Sequence, residues 1–485
     1  MDMKNLNPSL IWEYFDAITQ IPRPSKKEEK MVQFLVDFAH QQGLEAGKDK
    51  ADNVLIRKPA SPGKENMKTV ILQSHVDMVC EKNSDVKFNF ETDPIQTYID
   101  NGWVKAKGTT LGGDDGIGVA AALAVLASKD IEHGPVECLF TVDEETGLTG
   151  AKALSKDFLN GEILLNLDSE EWGEFCIGCA GGKTTIGTFH YTKTAAPADY
   201  FWFEVQINGL KGGHSGGDIH VGLGNANKIL TRYLWTLLQE YPLCLAHIDG
   251  GNLHNAIARE AKAIAGVPAA FKEKISVWLN VLQADLSAEL AKVDKHVKLS
   301  VNSVEKPAYC IDTKTGANLL NALYAMPHGV MGMSHKIDGL VETSTNLASV
   351  KMTDNETITV TTSQRSSTQS LKVDVGNQVT AVFLQAGAEV RSTDGYPGWK
   401  PNLDSAILDL SKAVYEKLFQ HPPKVYALHV GLECGLFFEK NPKLDMISCG
   451  PTIRGAHSPD ERLEIETVEK WWKFLIEVLK NIPAK

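Results

Sequence analysis

The sequence TVILQSHVD, at residues 69–77, begins with an apolar run and ends in a histidine and an aspartate. Two later apolar runs, at residues 136–142 and 163–167, also lead into acidic residues. Continuous apolar runs of this length are typical of strands that are buried on both faces of a parallel sheet. A helix candidate at residues 116–127 separates the first two runs. This alternation predicts an α/β fold with a mainly parallel sheet.

The composition limits the classes of function. The 485 residues include 49 Lys and Arg against 61 Asp and Glu, a formal charge of −12, which argues against a nucleic-acid or anionic-membrane partner. Residues 1–22 lack the basic and apolar segments of a signal peptide, and the most apolar run, residues 117–127, is shorter than the about 20 residues of a membrane span. The eight cysteines lie mostly in apolar segments, as buried thiols do in a reducing compartment. We therefore expect a soluble, cytoplasmic protein.

The pattern changes near residue 200. Residues 201–207 alternate between apolar and polar side chains, as in a strand with one buried face, and residues 357–362 alternate again. We expect an α+β domain at residues 187–382, inserted into a domain that is formed by residues 1–186 and 383–485.

Local signals predict several helices. Ser25 followed by Glu28 has the spacing of a capping box, ahead of apolar residues at helical spacing. Later helix candidates lie at residues 227–238, 375–386, 404–418 and 464–479. The last of these would close the chain as an amphipathic helix.

Each of the three apolar runs is followed by side chains that can bind metal. In open α/β sheets, ligands bind beyond the carboxyl ends of the strands, so these side chains should converge in space. A glycine-rich turn ahead of the helix candidate adds two carboxylates, and a further histidine lies near the C-terminus. The candidates are His75, Asp77, Asp114, Asp115, Asp143, Glu144, Glu145, Asp168 and His457.

Histidine and carboxylate side chains suit a pair of zinc ions that share one carboxylate. Two such ions, about 3.5–4 Å apart, polarise a carbonyl and lower the pKa of a water molecule. Asp77 could accept the free N–H of the His75 imidazole and so fix the orientation of the ring. Of the adjacent acids Glu144 and Glu145, one could bind metal while the other accepts the proton of the attacking water. The spacing alone leaves this division open.

Two other motifs favour different functions. Residues 116–121, GIGVAA, match the G-x-G-x-x-A pattern of a dinucleotide-binding turn. However, Asp114 and Asp115 would place negative charge against the pyrophosphate that such a helix start must attract. Cys176 and Cys179 have the C-x-x-C spacing of redox and zinc-ribbon sites, but no second pair follows at ribbon spacing, so we interpret them as structural thiols.

Five ordered motifs resemble those of a known enzyme family. They are SHVDMV at 74–79, TTLGGDDGIG at 109–118, DEETG at 143–147, NLD at 166–168 and GGHSGG at 212–217. On these motifs the chain resembles the di-zinc exopeptidase family that contains carnosinases, peptidase T, aminoacylases and carboxypeptidase G. The resemblance runs through essentially the whole chain.

The resemblance implies two Zn²⁺ per subunit, for which Co²⁺ or Mn²⁺ can substitute. It places Asp114 between the two ions. His75 and Asp168 would complete one site, and Glu145 and His457 would complete the other. Asp115 is the competing choice for the bridge, but the family pattern selects the first acid of the pair.

The resemblance also implies the reaction. Asp77 would be the supporting acid, and Glu144 would be the general base that takes a proton from a zinc-activated water. In this family an Asp at the position of Asp168 accompanies substrates with a free amino terminus. We therefore expect a metallo-dipeptidase acting on small dipeptides, including Xaa-His dipeptides, with an aminoacylase or a tripeptidase on the same scaffold as the alternative.

Substrate contacts are implied for five residues outside the metal motifs. Arg365 would bind the substrate carboxylate, which its planar guanidinium suits. His214 would stabilise the developing oxyanion, and in similar dimeric enzymes a histidine at this place acts in the partner's site. Asn255, Gly431 and Gly435 match substrate-lining segments. The resemblance also implies that residues 1–186 and 383–485 form the catalytic domain and that residues 187–382 form a lid and dimerisation domain. The expected assembly is a homodimer.

Overall fold

The computed structural model describes residues 3–485 as two compact units. The first unit comprises residues 3–179, 399–427 and 432–485, and the second comprises residues 180–398 and 428–431. The second unit thus begins before the expected residue 187 and ends after the expected residue 382. The reason is strand pairing, because Gly181–His190 and Glu389–Ser392 pair with each other within the sheet of the second unit.

The first unit is built on an eight-stranded mixed sheet. Its central strands are parallel and fully buried, as the apolar runs predict, whereas the pairings toward its edges are antiparallel. In spatial order the strands are Glu45–Lys48, Val54–Lys58, Val136–Thr141, Val70–His75, Ile163–Asn166, Asp445–Ser448, Glu174–Cys179 and Lys424–Leu428. A second, four-stranded sheet consists of Ile453–Arg454, Arg462–Glu464, Trp103–Ala106 and Thr97–Asp100. The predicted α/β class is confirmed.

Helices of the first unit cover this sheet. Gly113–Ala127 is buried along almost its whole length because it is apolar on all sides. Ile465–Lys480 instead buries one face, which includes Trp471 and Phe474. The other helices are Ser9–Thr19, Glu29–Gln42, Glu144–Gly147, Thr149–Ala153, Ala406–Phe419 and Glu433–Lys440, with a 3₁₀ turn at Met3–Asn5.

The capping box expected at Ser25 and Glu28 is wrong. The helix Glu29–Gln42 has no side-chain cap. Ser25 Oγ donates instead to Asp77 Oδ2 at 2.8 Å, and Glu28 Oε1 accepts from the backbone N–H of Asp143 at 2.9 Å. Both residues therefore support segments that carry candidate site residues.

The second unit is α+β and contains a nine-stranded sheet. In spatial order eight strands are Lys298–Ser303, Tyr200–Asn208, Ala261–Pro268, Cys244–Gly250, Val341–Thr353, Thr357–Ser366, Gly181–His190 and Glu389–Ser392, and Gly329–Met333 pairs with Val341–Thr353. Short strand pairs join Lys193–Ala195 to Tyr309–Ile311 and Gly213–His214 to Ala256–Ile257. The helices are Ala226–Glu240, Lys272–Glu289, Thr313–Ala325 and Gln369–Gln385, with 3₁₀ turns at Ile219–Val221 and Ala269–Phe271. The pattern change near residue 200 thus marks a real change of architecture.

The structure also bears on the predictions about membrane spans and about the C-x-x-C cysteines. Within residues 3–485, none of the helices has the length and apolar character that crossing a membrane requires. Cys176 and Cys179 are buried, and neither forms a disulfide bond within residues 3–485.

Candidate metal centre and active site

The candidate site lies at the carboxyl ends of the central parallel strands of the first unit. His75 is the last residue of its strand and is level with Thr141 on one neighbour, while Gln73 is level with Asn166 on the other. The segments that follow these strands carry Glu144, Glu145 and Asp168. The predicted convergence of the three strand ends therefore occurs, because parallel strands in register end at the same edge.

Three side chains form a first cluster. His75 Nε2 lies 3.1 Å from Asp114 Oδ1 and 3.4 Å from Asp168 Oδ1. The His75 side chain is only 1% exposed. Ligand atoms around a tetrahedral zinc ion with bonds of about 2.0–2.2 Å lie about 3.3 Å apart. The spacing in this cluster therefore fits a bound cation.

A second cluster shares one residue with the first. His457 Nε2 lies 3.2 Å from Asp114 Oδ2 and 3.1 Å from Glu145 Oε2. Asp114 thus presents one carboxylate oxygen to each histidine. Glu145 Oε1 is buried and has no hydrogen-bond partner among the described residues. A cation would supply the partner that this oxygen lacks, so the donors of both clusters fit metal ions.

The pKa values of the two histidines also fit metal binding at both clusters. Burial would lower the pKa of His75, but the facing Asp168 and Asp114 carboxylates raise it well above its usual range. Hydrogen bonds to Asp114 and Glu145 raise the pKa of His457 to about 11. Without a metal ion, protons on both imidazoles offset part of the negative charge of the surrounding carboxylates. These are the positions that metal ions would take over, since ligation requires the deprotonated imidazole.

Asp77 holds the first histidine in place. Its Oδ1 lies 3.3 Å from His75 Nδ1. The carboxylate also accepts from the backbone N–H groups of Glu144 at 3.0 Å and Glu145 at 3.2 Å. Burial would raise the pKa of Asp77, but its hydrogen bond and charge interaction with His75 lower it to about 2. An ionised Asp77 can therefore orient both the imidazole and the turn that carries the two glutamates.

Glu144 lies beside the clusters. One of its oxygens is within 4.8 Å of ligand atoms of His75 and Glu145. Burial raises its pKa well above the usual range, and the charges of Glu433 and Glu145 raise it further, against the effect of His75. A carboxylate with a raised pKa next to a metal site is suited to accept and return a proton.

Asp115 points away from the shared position. Its Oδ2 accepts from the backbone N–H of His75 at 3.2 Å. Its Oδ1 faces Gly118, where an added Cβ would lie only 2.1 Å away. Asp115 is therefore committed to the backbone under the helix, and of the two neighbouring acids it is Asp114 that faces both histidines.

The second unit contains a separate polar cluster around Arg365, which is 7% exposed. Arg365 Nη1 donates to Tyr396 Oη at 2.9 Å, and Arg365 Nε donates to Ser215 Oγ at 3.4 Å. Arg365 Nη2 lies 3.4 Å from His214 Nε2. The structure thus brings together two of the predicted substrate-binding residues, which are 151 positions apart in the chain.

The protonation of His214 follows from its contacts. Its Nδ1 faces the backbone N–H groups of Gly216 at 3.3 Å and Gly217 at 3.0 Å, and it must accept from them. Burial lowers the pKa of His214, and the charge of Arg365 lowers it further, so the neutral ring carries its proton on Nε2. His214 Nε2 and Arg365 Nη2 are therefore both donors. Together they form a site for an anionic oxygen.

The other predicted substrate contacts are Asn255, Gly431 and Gly435, and each lies in a different part of the structure. The backbone carbonyl of Asn255 accepts from Ser215 N at 2.8 Å and so supports the turn after His214. Gly431 lies against the ring of Tyr396, where a Cβ would be 2.6 Å from the nearest ring atom. Gly435 belongs to the buried start of the helix Glu433–Lys440 in the first unit.

Sequence reasoning missed several residues that shape these clusters. Arg23 and Glu461 are buried and bond to the turn before Asp114. Glu433, whose pKa burial raises to about 7, accepts from Gln73 Nε2 at 2.7 Å. Their sequence surroundings resemble those of ordinary surface charges. Only the position of Glu461, four residues after His457, offers a weak signal.

Comparison with known proteins decides the family. The sequence model of the family described as Peptidase family M20/M25/M40 matches residues 71–481 of this chain. The chain belongs to this peptidase family. The resemblance seen in the sequence motifs is therefore confirmed, and with it the enzyme class, a peptide-bond hydrolase.

Individual relatives cover the whole chain. The chain is 44% identical over 484 residues to a cytosol non-specific dipeptidase of Escherichia coli K12, covering 100% of both sequences. It is 45% identical to an aminoacylhistidine dipeptidase from Vibrio alginolyticus, with a TM-score of 0.93 and coverage of 100% of this chain and 99% of the other. Human carnosine dipeptidase 1 shares the fold at 12% identity, with a TM-score of 0.50 over 97% and 95% of the two chains.

Proposed function

We propose that this protein is a di-zinc dipeptidase that hydrolyses dipeptides with a free amino terminus, including Xaa-His dipeptides. The observation that carries the proposal is that Asp114 presents one oxygen to His75 and the other to His457. Relatives that match the full chain are a dipeptidase from Escherichia coli and an aminoacylhistidine dipeptidase from Vibrio alginolyticus. Both support a dipeptide substrate.

The five candidate ligands divide into two sets around Asp114. His75 and Asp168 would complete one site, and Glu145 and His457 would complete the other. Two zinc ions held in this way, or Co²⁺ or Mn²⁺ in their place, would polarise the scissile carbonyl and lower the pKa of a water molecule.

Glu144 carries the proton transfer in this proposal. Its carboxylate takes a proton from the attacking water and delivers it to the leaving amine, which carboxylates with raised pKa values do well. Asp77 keeps the His75 ring oriented throughout. It also holds the backbone N–H groups of Glu144 and Glu145, so the base and one ligand keep a fixed spacing.

The donors of the second unit serve the substrate. Arg365 would bind the C-terminal carboxylate of the dipeptide, and the Nε2–H group of His214 would donate to the oxyanion that develops on the scissile carbonyl. We further propose a cytoplasmic homodimer in which the second unit dimerises and His214 acts in the partner's site. Support for the compartment comes from the Escherichia coli relative, which is a cytosol dipeptidase.

A release assay tests the substrate class. The protein is incubated with Xaa-His and other dipeptides, tripeptides and N-acetylated amino acids, with and without a chelator. We expect hydrolysis of the dipeptides, loss of that activity after chelation, and recovery on adding Zn²⁺, Co²⁺ or Mn²⁺. Full turnover in metal-free protein would contradict the metal role. Preferential release from N-acetylated amino acids or from tripeptides would instead identify an aminoacylase or a tripeptidase.

A further inference from the structure

We infer that Glu461 is a positioning residue for the metal centre and acts together with Arg23. These two buried side chains hold the ligand turn, which we define as residues 111–114. The inference rests on the proposed di-zinc function. It adds that the bridging Asp114 is held in place by a charged pair before any metal binds.

Glu461 binds the amide side of the ligand turn. Its Oε2 accepts from Leu111 N at 2.7 Å and from Gly112 N at 3.0 Å. Its Oε1 accepts from Gly113 N at 2.7 Å and from Asp114 N at 3.2 Å. Four consecutive backbone N–H groups thus point at one carboxylate that is 2% exposed. Charge-assisted bonds of this kind are stronger than neutral ones.

Arg23 binds the carbonyl side of the same turn. Its Nη2 donates to Gly112 O at 2.6 Å, and its Nη1 donates to Val76 O at 2.9 Å and Asp77 O at 2.8 Å. One guanidinium therefore joins the ligand turn to the segment that follows His75. The charge of Glu461 favours the protonated guanidinium, although burial lowers the pKa of Arg23.

Glycine is required where this pair meets the turn. Gly112 has a φ of +71°, and a Cβ there would lie 2.4 Å from Arg23 Nη2. A Cβ at Gly116 would lie 2.6 Å from the same atom. The glycines of the motif around Asp114 therefore make room for the guanidinium.

Glu461 and Arg23 together also link both histidines to the bridging acid. It lies four residues after His457, and its backbone N–H closes the intervening turn by donating to Ser458 O at 3.0 Å. The side chain of Glu461 then fixes the backbone of Asp114, which faces His457 in the second cluster. Arg23 makes the corresponding link on the side of His75. The pair thus connects three segments that are distant in sequence and that carry the candidate ligands.

A glutamine cannot replace Glu461 in this role. Its amide has one oxygen, and its NH₂ group would face two of the four backbone N–H donors. Glu461→Gln should therefore displace the ligand turn while nearly preserving side-chain volume. Loss of residues that orient metal ligands typically weakens metal binding about 10- to 100-fold.

Glu137 provides a matched control in the same unit. This carboxylate is 3% exposed and accepts from Asn160 N at 2.9 Å and Gly161 N at 3.0 Å, as well as from Arg57 Nε. It touches none of the candidate ligands in these hydrogen bonds. Glu137→Gln should therefore disturb packing and stability without a specific effect on metal binding.

The experiment measures zinc affinity of metal-free protein by competition with a fluorescent chelator, and thermal unfolding of the same samples. We expect Glu461→Gln to bind zinc about 10- to 100-fold more weakly than the natural chain, while Glu137→Gln binds with unchanged affinity. Unchanged zinc affinity in folded Glu461→Gln, or an equal loss in both variants, would overturn the inference. Absence of zinc binding by the natural chain would instead refute the proposed function.

A second variant keeps the inference testable should Glu461→Gln not fold. Glu461→Asp preserves the charge but shortens the reach by one methylene, so its bonds to the ligand turn should weaken. We expect about tenfold weaker zinc binding by the folded Glu461→Asp protein. Affinity equal to that of the natural chain would overturn the inference.

Discussion

The two polar clusters of this molecule have opposite chemistry. Around Asp114 the first unit gathers carboxylates and two imidazoles that face them, a set that attracts cations. Around Arg365 the second unit gathers N–H donors, a set that attracts anionic oxygens. Hydrolysis of a peptide needs both, since water must be activated while the substrate carboxylate and the developing oxyanion are bound. In the proposed function, the acceptors of the first unit would bind the metal ions and the donors of the second unit would bind the substrate.

The clusters also differ in how the fold supports them. His75 ends a buried parallel strand, and Asp77 and Glu461 hold neighbouring segments through charged bonds to backbone N–H groups. His214 lies in a two-residue strand after a glycine-rich turn. Charged hydrogen bonds to the backbone therefore support the candidate metal cluster. The donor cluster depends on a few contacts around Arg365.

The largest effect is expected from removing the general base within the metal cluster. Glu144→Ala should lower kcat by about 10²–10⁴-fold, because the proton transfer loses its carboxylate. Elemental analysis should still find the natural zinc content. Glu145→Ala is the adjacent control and should lose zinc, since Glu145 faces His457. A loss of zinc from Glu144→Ala would place Glu144 among the metal ligands.

Mixing subunits tests whether the two clusters act across a dimer. Glu144→Ala and His214→Ala should each be nearly inactive alone. A heterodimer of the two would contain one site with an intact Glu144 from one chain and an intact His214 from the other. Activity should therefore return after subunit exchange. No recovery, with exchange verified by mass spectrometry of tagged chains, would show that His214 acts within its own chain.

A smaller and substrate-dependent effect is expected in the donor cluster. Arg365→Ala should lower kcat/KM by about 10- to 100-fold on dipeptides with a free carboxylate, because a charged hydrogen bond contributes about 1.5–3 kcal/mol. The loss should be much smaller on the amidated dipeptide. Arg391→Ala, an exposed arginine of the same unit, is the control. Equal losses on both substrates would contradict a carboxylate clamp.

The smallest expected effect is the release of protons when zinc binds. The pKa of His457 is raised to about 11 and that of His75 is raised well above its usual range, so both imidazoles are protonated in metal-free protein at pH 7. Binding of two zinc ions should therefore release protons from both imidazoles, and zinc affinity should rise with pH in this range. Calorimetry in buffers of different ionisation enthalpy measures the release. Zinc binding without proton release would contradict these protonation states.

The sequence predicted best those site residues that follow the strands of the parallel sheet. Strand ends of a parallel sheet lie at one edge, so His75 and Asp168 could be expected together from three apolar runs. The position of His457 could not be predicted in this way, because it lies on a loop after a short strand. His457 was a candidate by its residue type, and only the family resemblance assigned it to a metal site.

The sequence pattern could not predict contacts that depend on the detailed path of the backbone. Asp114 and Asp115 are equivalent in the sequence, and their division depends on which carboxylate turns under the helix toward the His75 N–H group. Ser25 fits a capping box but bonds to Asp77, because tertiary contacts override a local signal. The unit boundary near residue 398 depends on strand pairing with Gly181–His190, which no local pattern indicates.

A zinc count on two isosteric variants tests whether one carboxylate joins two metal ions. Asp114→Asn and Asp115→Asn make the same change at neighbouring acids, because each replaces one carboxylate oxygen by an amide NH₂ group. We expect two zinc ions per natural chain and two in Asp115→Asn, whose amide oxygen can still accept from His75 N–H. We expect less than one zinc ion in Asp114→Asn. Two tightly bound zinc ions in Asp114→Asn would show that Asp114 is not the shared ligand.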